Sequence, residues 1–435
     1  MSRIRIVLSI IVCSCVAAMH AQSGGTSSSY SRFGMGLLND QSQSFNRNMG
    51  GVGQGLRYGT RVNKQNPASY SAIDSLSFIL DVGMSLQRTR YSLDSEMQTY
   101  DNTAFDHISA GWRIFPHVGM SIGVVPFSSI GYNFSQQNDV VLGIYNQQTA
   151  TQTISYYGDG GLHDAYLGVG WEPLKNISIG ANIGYMWGNV NHQVLQSFAE
   201  NGTSSSSYSS LSTYYKASLK TWKAELGVQY QYPLNADDEL TLGATVGLGH
   251  KIGSDASLLR TTQSGDTIQQ TVPKAFQLPM TYSIGAAWRH DQQLTIAADV
   301  TYEPWASCTA PQLQSNGIYA ATKDAYKNHL RVNAGVEYVP ERYSPQYHRR
   351  VNYRAGLYYS SPYMKVNGAD GPREYGITAG LGLPIQNSWN NRSTVNIGVQ
   401  WVRREAGSNL ITENQFRINV SITFCETWFH KWKFL

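Results

Sequence analysis

The sequence predicts an all-β fold: a transmembrane antiparallel β-barrel of about fourteen strands with an N-terminal hatch, or plug, inside its lumen. Three observations predict it. From Leu76 onward apolar residues recur at every second position, the period of half-buried strands. Charged residues are only 14% of the 435, while aromatic residues reach 12%, with 41 Gly and 28 Tyr; soluble proteins carry roughly 25% charge. The mean hydropathy is nonetheless −0.32, because greasy and polar positions cancel. This balance excludes a coiled coil, a charge-rich helical bundle and charge-driven disorder. A net charge of +4 gives no electrostatic footprint for nucleic acid.

Residues 1–21 read as a secretory signal peptide. Arg3 and Arg5 precede an apolar run from Ile6 to Ala18, with cleavage expected after Ala21 or Ala18. The run is too short to span a bilayer as a helix, and no later stretch approaches 18 consecutive apolar residues. Beyond this segment only Cys308 and Cys425 remain, too few for a disulfide framework. Residues 22–75 are rich in Ser, Gly and Asn, lack sustained alternation and centre on Gly50-Gly51-Val52-Gly53-Gln54-Gly55. No apolar strand precedes those glycines, so they are not a nucleotide loop. The segment suits either a disordered periplasmic stretch or a lumen plug anchored by Tyr30, Phe33, Phe45, Tyr58 and Tyr70.

Residues 76–424 carry the barrel. Alternating runs fall at 76–87, 105–115, 117–134, 162–172, 176–192, 218–232, 239–252, 277–289, 293–304, 326–339, 350–360, 373–384, 393–404 and 414–424. Short turns, such as Phe115-Pro116-His117, alternate with long polar connections near 135–160, 193–217, 253–275 and 305–325. That is the rim asymmetry of outer-membrane barrels, and an even strand count puts both chain ends on the periplasmic, short-turn side. The apolar rows contain no charge. The opposite rows carry Asp81, Arg113, Lys223, Glu225, Arg289, Asp299, Arg331, Glu337, Arg354 and Arg417. A soluble β-sandwich also alternates. The membrane reading is favoured by aromatics at row ends (Trp171, Tyr230, Trp288, Tyr338, Trp401, Phe424) and by Gly at inward positions. The last strand presents Phe416, Ile418, Val420, Ile422 and Phe424 on one face, a terminal row of the kind read by barrel-assembly machinery during biogenesis.

Pro126 stands inside the third run, after Val118, Met120, Ile122 and Val124. Proline lacks a ladder donor and is confined to edges and bulges. Phe127, Ser128, Ser129 and Gly131 follow, and the small residues leave a gap unfilled. Disturbed pairing is therefore expected here, either as a lateral portal or as a bulge that merely bends the strand.

Asn66-Pro67-Ala68, preceded by Asn48-Met49-Gly50-Gly51-Val52-Gly53, resembles the hatch of the FadL/TodX family of outer-membrane channels for hydrophobic compounds. Leu278-Pro279-Met280-Thr281-Tyr282 and the stretches that follow it are similar to that family's mid-barrel strands. Tyr30-Ser31-Arg32-Phe33-Gly34-Met35-Gly36 looks like a Bacteroidota branch. The resemblance implies a fourteen-stranded barrel, a hatch at Gly50, Gly51, Gly53 and Asn66-Pro67-Ala68, and a kinked third strand that opens the wall. It also implies passive uptake of hydrophobic molecules, fatty-acid or hydrocarbon-like, captured outside and released sideways into outer-membrane lipid. The other reading is a scaffold barrel for protein export or assembly at the outer membrane. Residues 425–435 form a tail whose Trp428, Phe429, Trp432 and Phe434 suit the periplasmic interface. A monomer without cofactor or metal is expected. No enzyme is expected: His107, His117 and His163 are scattered, Asp159 and His163-Asp164 read as a solvated loop pair, and no Gly-x-Ser-x-Gly or His-Glu-x-x-His occurs.

Overall fold

The computed structural model describes residues 26–93, 96–142, 148–200, 210–262, 264–314, 316–366, 368–385, 392–407 and 410–427; residues 1–21, expected as a signal peptide, and residues 428–435 of the expected tail lie outside them. Fourteen strands make the wall: β1 (Ser77–Leu93), β2 (Glu96–Phe115), β3 (Val118–Leu142), β4 (Gln148–Leu174), β5 (Ile177–Glu200), β6 (Leu211–Pro233), β7 (Asp238–Gly247), β8 (Thr281–His290), β9 (Leu294–Glu303), β10 (His329–Tyr338), β11 (Asn352–Ser360), β12 (Arg373–Pro384), β13 (Thr394–Glu405) and β14 (Thr412–Thr427). Each pairs antiparallel with the next, and β14 closes on β1 from Ser77↔Thr427 to Ser92↔Thr412. Tight turns mark one rim, where His117, Asn176, Asp291 and Gln292 adopt the left-handed backbone that short hairpins require.

The wall is inside out relative to a soluble protein. Ile284, Leu357 and Ile377 are each about 60% exposed on the outer face (64%, 59% and 59%), whereas Asp81, Asp299, Glu337 and Arg354 are buried in the lumen. Aromatic pairs border the apolar band. Tyr282 faces Tyr302, Trp401 faces Phe416 and Tyr185 faces Trp222 at the long-loop level; Trp171, Tyr230 and the Tyr338–Tyr353 pair stand at the short-turn level. From Leu294, opposite Tyr338, to Tyr302 the strand spans nine residues, the length of a strand that crosses a bilayer, ~9–11 residues.

Every predicted run meets a strand, but several bounds change. Much of the stretches 135–160 and 193–217, expected as loops, continues the wall. β3 to β6 run 25, 27, 24 and 23 residues, more than double a membrane crossing. Their Ser, Thr, Gln and Asn extend the ladder without an apolar row, because strand pairing in water needs backbone partners, not grease. A hairpin within 253–275, Ala256–Thr262 with Thr267–Val272, adds to the free edge of β6. β7 ends at Gly247 and β8 begins at Thr281, both shorter than expected, because Pro279 cannot donate and Gly249 lies against the Pro279–Met280 backbone. β14 runs on to Thr427, so Cys425, Glu426 and Thr427 belong to the wall rather than the tail, paired with Ile79, Phe78 and Ser77. Of its outer row, Phe416, Ile418, Val420 and Ile422 are exposed and Phe424 half-buried.

The two described ends of the chain lie at opposite rims. Thr427 lies at the short-turn rim. The first described residues instead lie inside the long-loop rim: Ser28 Oγ donates to the Glu413 carboxylate (2.6 Å) and Tyr30 Oη donates to the Ile411 carbonyl. The chain thus enters the hatch from the long-loop rim and runs toward the short-turn rim.

Leu357 faces lipid midway along β11. Leu357→Arg is expected to destabilise the barrel by about 2–4 kcal/mol. Urea unfolding in lipid vesicles checks this; an unchanged midpoint would remove Leu357 from the lipid face.

Candidate functional site

The lumen is filled by residues 39–74. Asn66 caps the 3-10 helix Pro67–Ala72: its Oδ1 accepts from Ala68 N (3.1 Å), while Nδ2 donates to the carbonyls of Gln54 (2.9 Å) and of Val228 in β6 (3.1 Å). Pro67 starts that helix, where its missing donor is harmless. Gly227, Gly243 and Gly180 of the wall lie where any side chain would strike Asn66, Gln54 or Pro67; glycine there lets hatch backbone lie on wall backbone. Across the lumen Gly50 and Gly51 take φ +71 and +82, open to glycine without strain. Gly50 N donates to Thr378 Oγ1 of β12 (2.9 Å), and Gly51 O accepts from Asn333 Nδ2 of β10 (3.0 Å). Gly53 N and Gln54 N both donate to Asp299 Oδ2 of β9 (2.5 and 3.0 Å).

Four hatch cations meet four wall carboxylates. Arg47 pairs with Asp106 of β2 (2.5 Å), Arg57 with Glu172 of β4 (2.8 Å), Arg61 with Glu337 of β10 (2.7 Å) and Lys64 with Asp164 of β4 (3.1 Å). The polarity reverses at Asp40, which takes Arg331 of β10 (2.8 Å), and at Asp74, which takes Arg392. Burial favours the neutral Asp40, but Arg331 and Arg47 outweigh it and hold the carboxyl below its usual range. Removing one partner of a buried pair costs about 3–5 kcal/mol, because the other charge is left bare.

Among the described residues the wall ladder breaks at one seam. β2 and β3 pair only from Phe115↔Val118 to Ile108↔Val124, although both strands continue toward the long-loop rim. On its other side β3 stays paired to β4 up to Leu142, with Phe127 bulged out between Pro126 and Ser128. The hatch covers the exposed edge of β3. Leu37 and Leu38 pair with Ser129 and Ser128, Asn39 N donates to Phe127 O (2.9 Å), Gln41 Nε2 donates to Pro126 O (3.0 Å), and Ser31 Oγ donates to Gly131 O (3.2 Å). All five residues singled out around Pro126 therefore lie at this seam, and the hatch residues Gly50, Gly51, Gly53, Asn66, Pro67 and Ala68 lie against the opposite and adjoining wall.

Above the hatch is a cavity of about 210 Å³. Leu37, Leu38, Phe127, Leu278, Trp305, Tyr363 and Met364 give it an apolar side, and Lys223, Glu225, Glu303 and Arg331 a charged one. A second cavity of about 50 Å³ shares Asn39 and Asp40 with it and reaches Phe105 of β2 with Pro126 and Ser128 of β3. An apolar core roofs the larger cavity: Met35, Ile130, Leu162, Leu219, Phe276, Trp305 and Tyr326 are buried together where the raised wall, the N-terminal segment and the loop 305–326 meet. Leu37 and Leu38 carry no alternating signal long enough to announce a strand. Glu303, His329 and Ser360, which the structure brings together at the cavity wall, lie too far apart in sequence to form a motif. Asp159 and His163-Asp164 lie within β4, not in a loop.

The fold has solved counterparts. The Ralstonia pickettii toluene transporter TbuX aligns with TM-score 0.57 and 15% identity over 88% of this chain and 98% of its own. The Pseudomonas putida toluene transporter TodX gives 0.57 and 14% over 90% and 100%, and a Pseudomonas aeruginosa FadL homologue gives 0.60 and 13% over 89% and 99%. No curated protein matches the sequence. A family model described as BamG matches residues 1–435.

Glu337 holds both Arg61 (2.7 Å) and Arg354 (2.6 Å). Glu337→Ala strands two buried cations and is expected to loosen the hatch by about 3–5 kcal/mol. Limited trypsin digestion in detergent should then cut at Arg57 and Arg61, which the native protein protects; equal resistance would mean that the ion pair does not hold the hatch.

Proposed function

The chain belongs to the BamG family, and within that family we propose that it acts as an outer-membrane channel for small hydrophobic molecules, captured beneath the external loops and released sideways between β2 and β3. The seam carries this reading: it is the place in the wall where adjacent strands lose each other's hydrogen bonds. Lipid supplies no replacement for such bonds, so a seam that closes on itself is the default, and one kept unpaired calls for a use. The two cavities that meet at Asn39 and Asp40 support a route from lumen to seam. A hydrophobic solute gains from such an exit because it passes from protein into acyl chains without crossing water.

The larger cavity is about 210 Å³, smaller than the ~300–1,000 Å³ of sites for drug-sized ligands. That favours a single aromatic ring or a short acyl chain over a long-chain fatty acid. The toluene transporters among the similar structures carry a solute of that size.

One observation favours a second reading, a scaffold for protein export or assembly. The hatch is held by four buried ion pairs, and β3 to β6 raise a polar wall far beyond the membrane. A locked lumen with a projecting sheet offers protein surface rather than a pore.

Uptake of labelled toluene and of labelled palmitate by cells with and without the protein separates the two. Transport predicts faster toluene than palmitate entry, reduced severalfold by Pro126→Ala, which lets β3 straighten. Uptake indifferent to the protein, together with loss of other outer-membrane proteins, would establish the scaffold instead.

A further inference from the structure

At the long-loop ends of three adjacent strands, Glu303 of β9, His329 of β10 and Ser360 of β11 face the same cavity. The register places them there. Glu303 is the direct cross-strand partner of His329, and Ser360 is paired with Arg331, one same-face step along β10 from His329. Their side chains form a continuous row: Glu303 Oε2 lies 3.0 Å from His329 Nδ1, and His329 Nε2 lies 2.7 Å from Ser360 Oγ. Glu303 is itself fixed, since Trp305 Nε1 donates to Oε2 (2.9 Å) and Thr281 Oγ1 donates to Oε1 (3.2 Å). A carboxylate that accepts from Nδ1–H leaves Nε2 free of a proton and able to accept the serine hydroxyl. Nucleophile, base and orienting acid are thus in sequence within hydrogen-bond reach.

We propose that Ser360, His329 and Glu303 form an acyl-transfer site that hydrolyses small carboxylic esters entering the cavity. Trp305, Tyr363 and Met364 line the same space and would hold a short acyl group. Ser360 Oγ bonds to the ester carbonyl carbon as its proton passes to His329 Nε2. The bond to the alcohol oxygen breaks, and the departing alcohol takes that proton. Water then adds to the acyl carbon, giving its proton to Nε2; the bond to Oγ breaks, and the proton returns to Ser360. One ester and one water yield one acid and one alcohol. Glu303 is a positioning residue that acts through His329. The site opens on the same cavity from which the proposed route to the seam begins.

The test is covalent labelling of the purified full-length barrel in detergent with diisopropyl fluorophosphate, with the modified residue located by mass spectrometry. Ser360 should carry the adduct, formed with loss of fluoride. Ser360→Ala should lose it, and Glu303→Gln should slow its formation about tenfold or more and shift the pH dependence of 4-nitrophenyl acetate hydrolysis. Heat-modifiable migration confirms that each variant is folded. A folded native protein without an adduct on Ser360 would overturn the proposal. So would an adduct that forms at the same rate in Glu303→Gln and His329→Ala, since a merely structural row of hydrogen bonds would leave a serine of ordinary reactivity.

Discussion

A bilayer core offers no water to satisfy a backbone amide, so a chain that crosses it as strands must close its ladder on itself. That constraint orders the rest of this molecule. Closure of β14 on β1 turns each alternating strand into an apolar outer row and a polar inner row. The inner rows then hold charges that the wall by itself pairs only in part, as Glu337 with Arg354. Asp106, Glu172 and Glu337 would each be buried and costly if unpaired, and the hatch supplies Arg47, Arg57 and Arg61 to them. The hatch is therefore the counter-ion set of the lumen as well as its stopper.

The same logic explains the seam. Where β2 and β3 part, the backbone of β3 from Pro126 to Gly131 needs other partners, and residues 31–41 provide them. Two residues further on, the segment binds β2: Gln43 Nε2 donates to Ser109 Oγ of β2 (2.6 Å) and Arg47 pairs with Asp106 of β2 (2.5 Å). A stretch of nine residues from Asn39 to Arg47 thus joins both lips, and Asp40 within it is tied to Arg331 across the lumen. The bonds that seal the wall and the ion pairs that lock the hatch belong to one continuous segment. Opening the seam means loosening residues 39–47, and anything that loosens them acts on both.

Much of this was legible in the sequence, because its determinants are local. Rows such as Leu330, Val332, Ala334 and Val336 show one strand face directly, and fourteen such rows give the barrel. Pro126 marks a place where a ladder cannot run unbroken, whatever surrounds it. Asn66-Pro67 reads as a capped turn from its own chemistry. What was not legible depends on register and shear. Which carboxylate receives Arg57 is decided by a separation of 115 residues that no spacing rule encodes. The polar extensions of β3 to β6 look like loops because only their inner positions pack against anything, and the external core that they pack against is assembled from distant segments. Glu303, His329 and Ser360 meet because three strands align, not because of any motif.

Residues 37–41 close a seam that the wall leaves unpaired. A disulfide between Leu38→Cys and Ser128→Cys, which are cross-strand partners, tests it directly, since paired strand positions lie within disulfide reach. Solute flux through the purified barrel in vesicles should stop when the pair is oxidised and return on reduction. Unchanged flux with the disulfide fully formed would contradict the account.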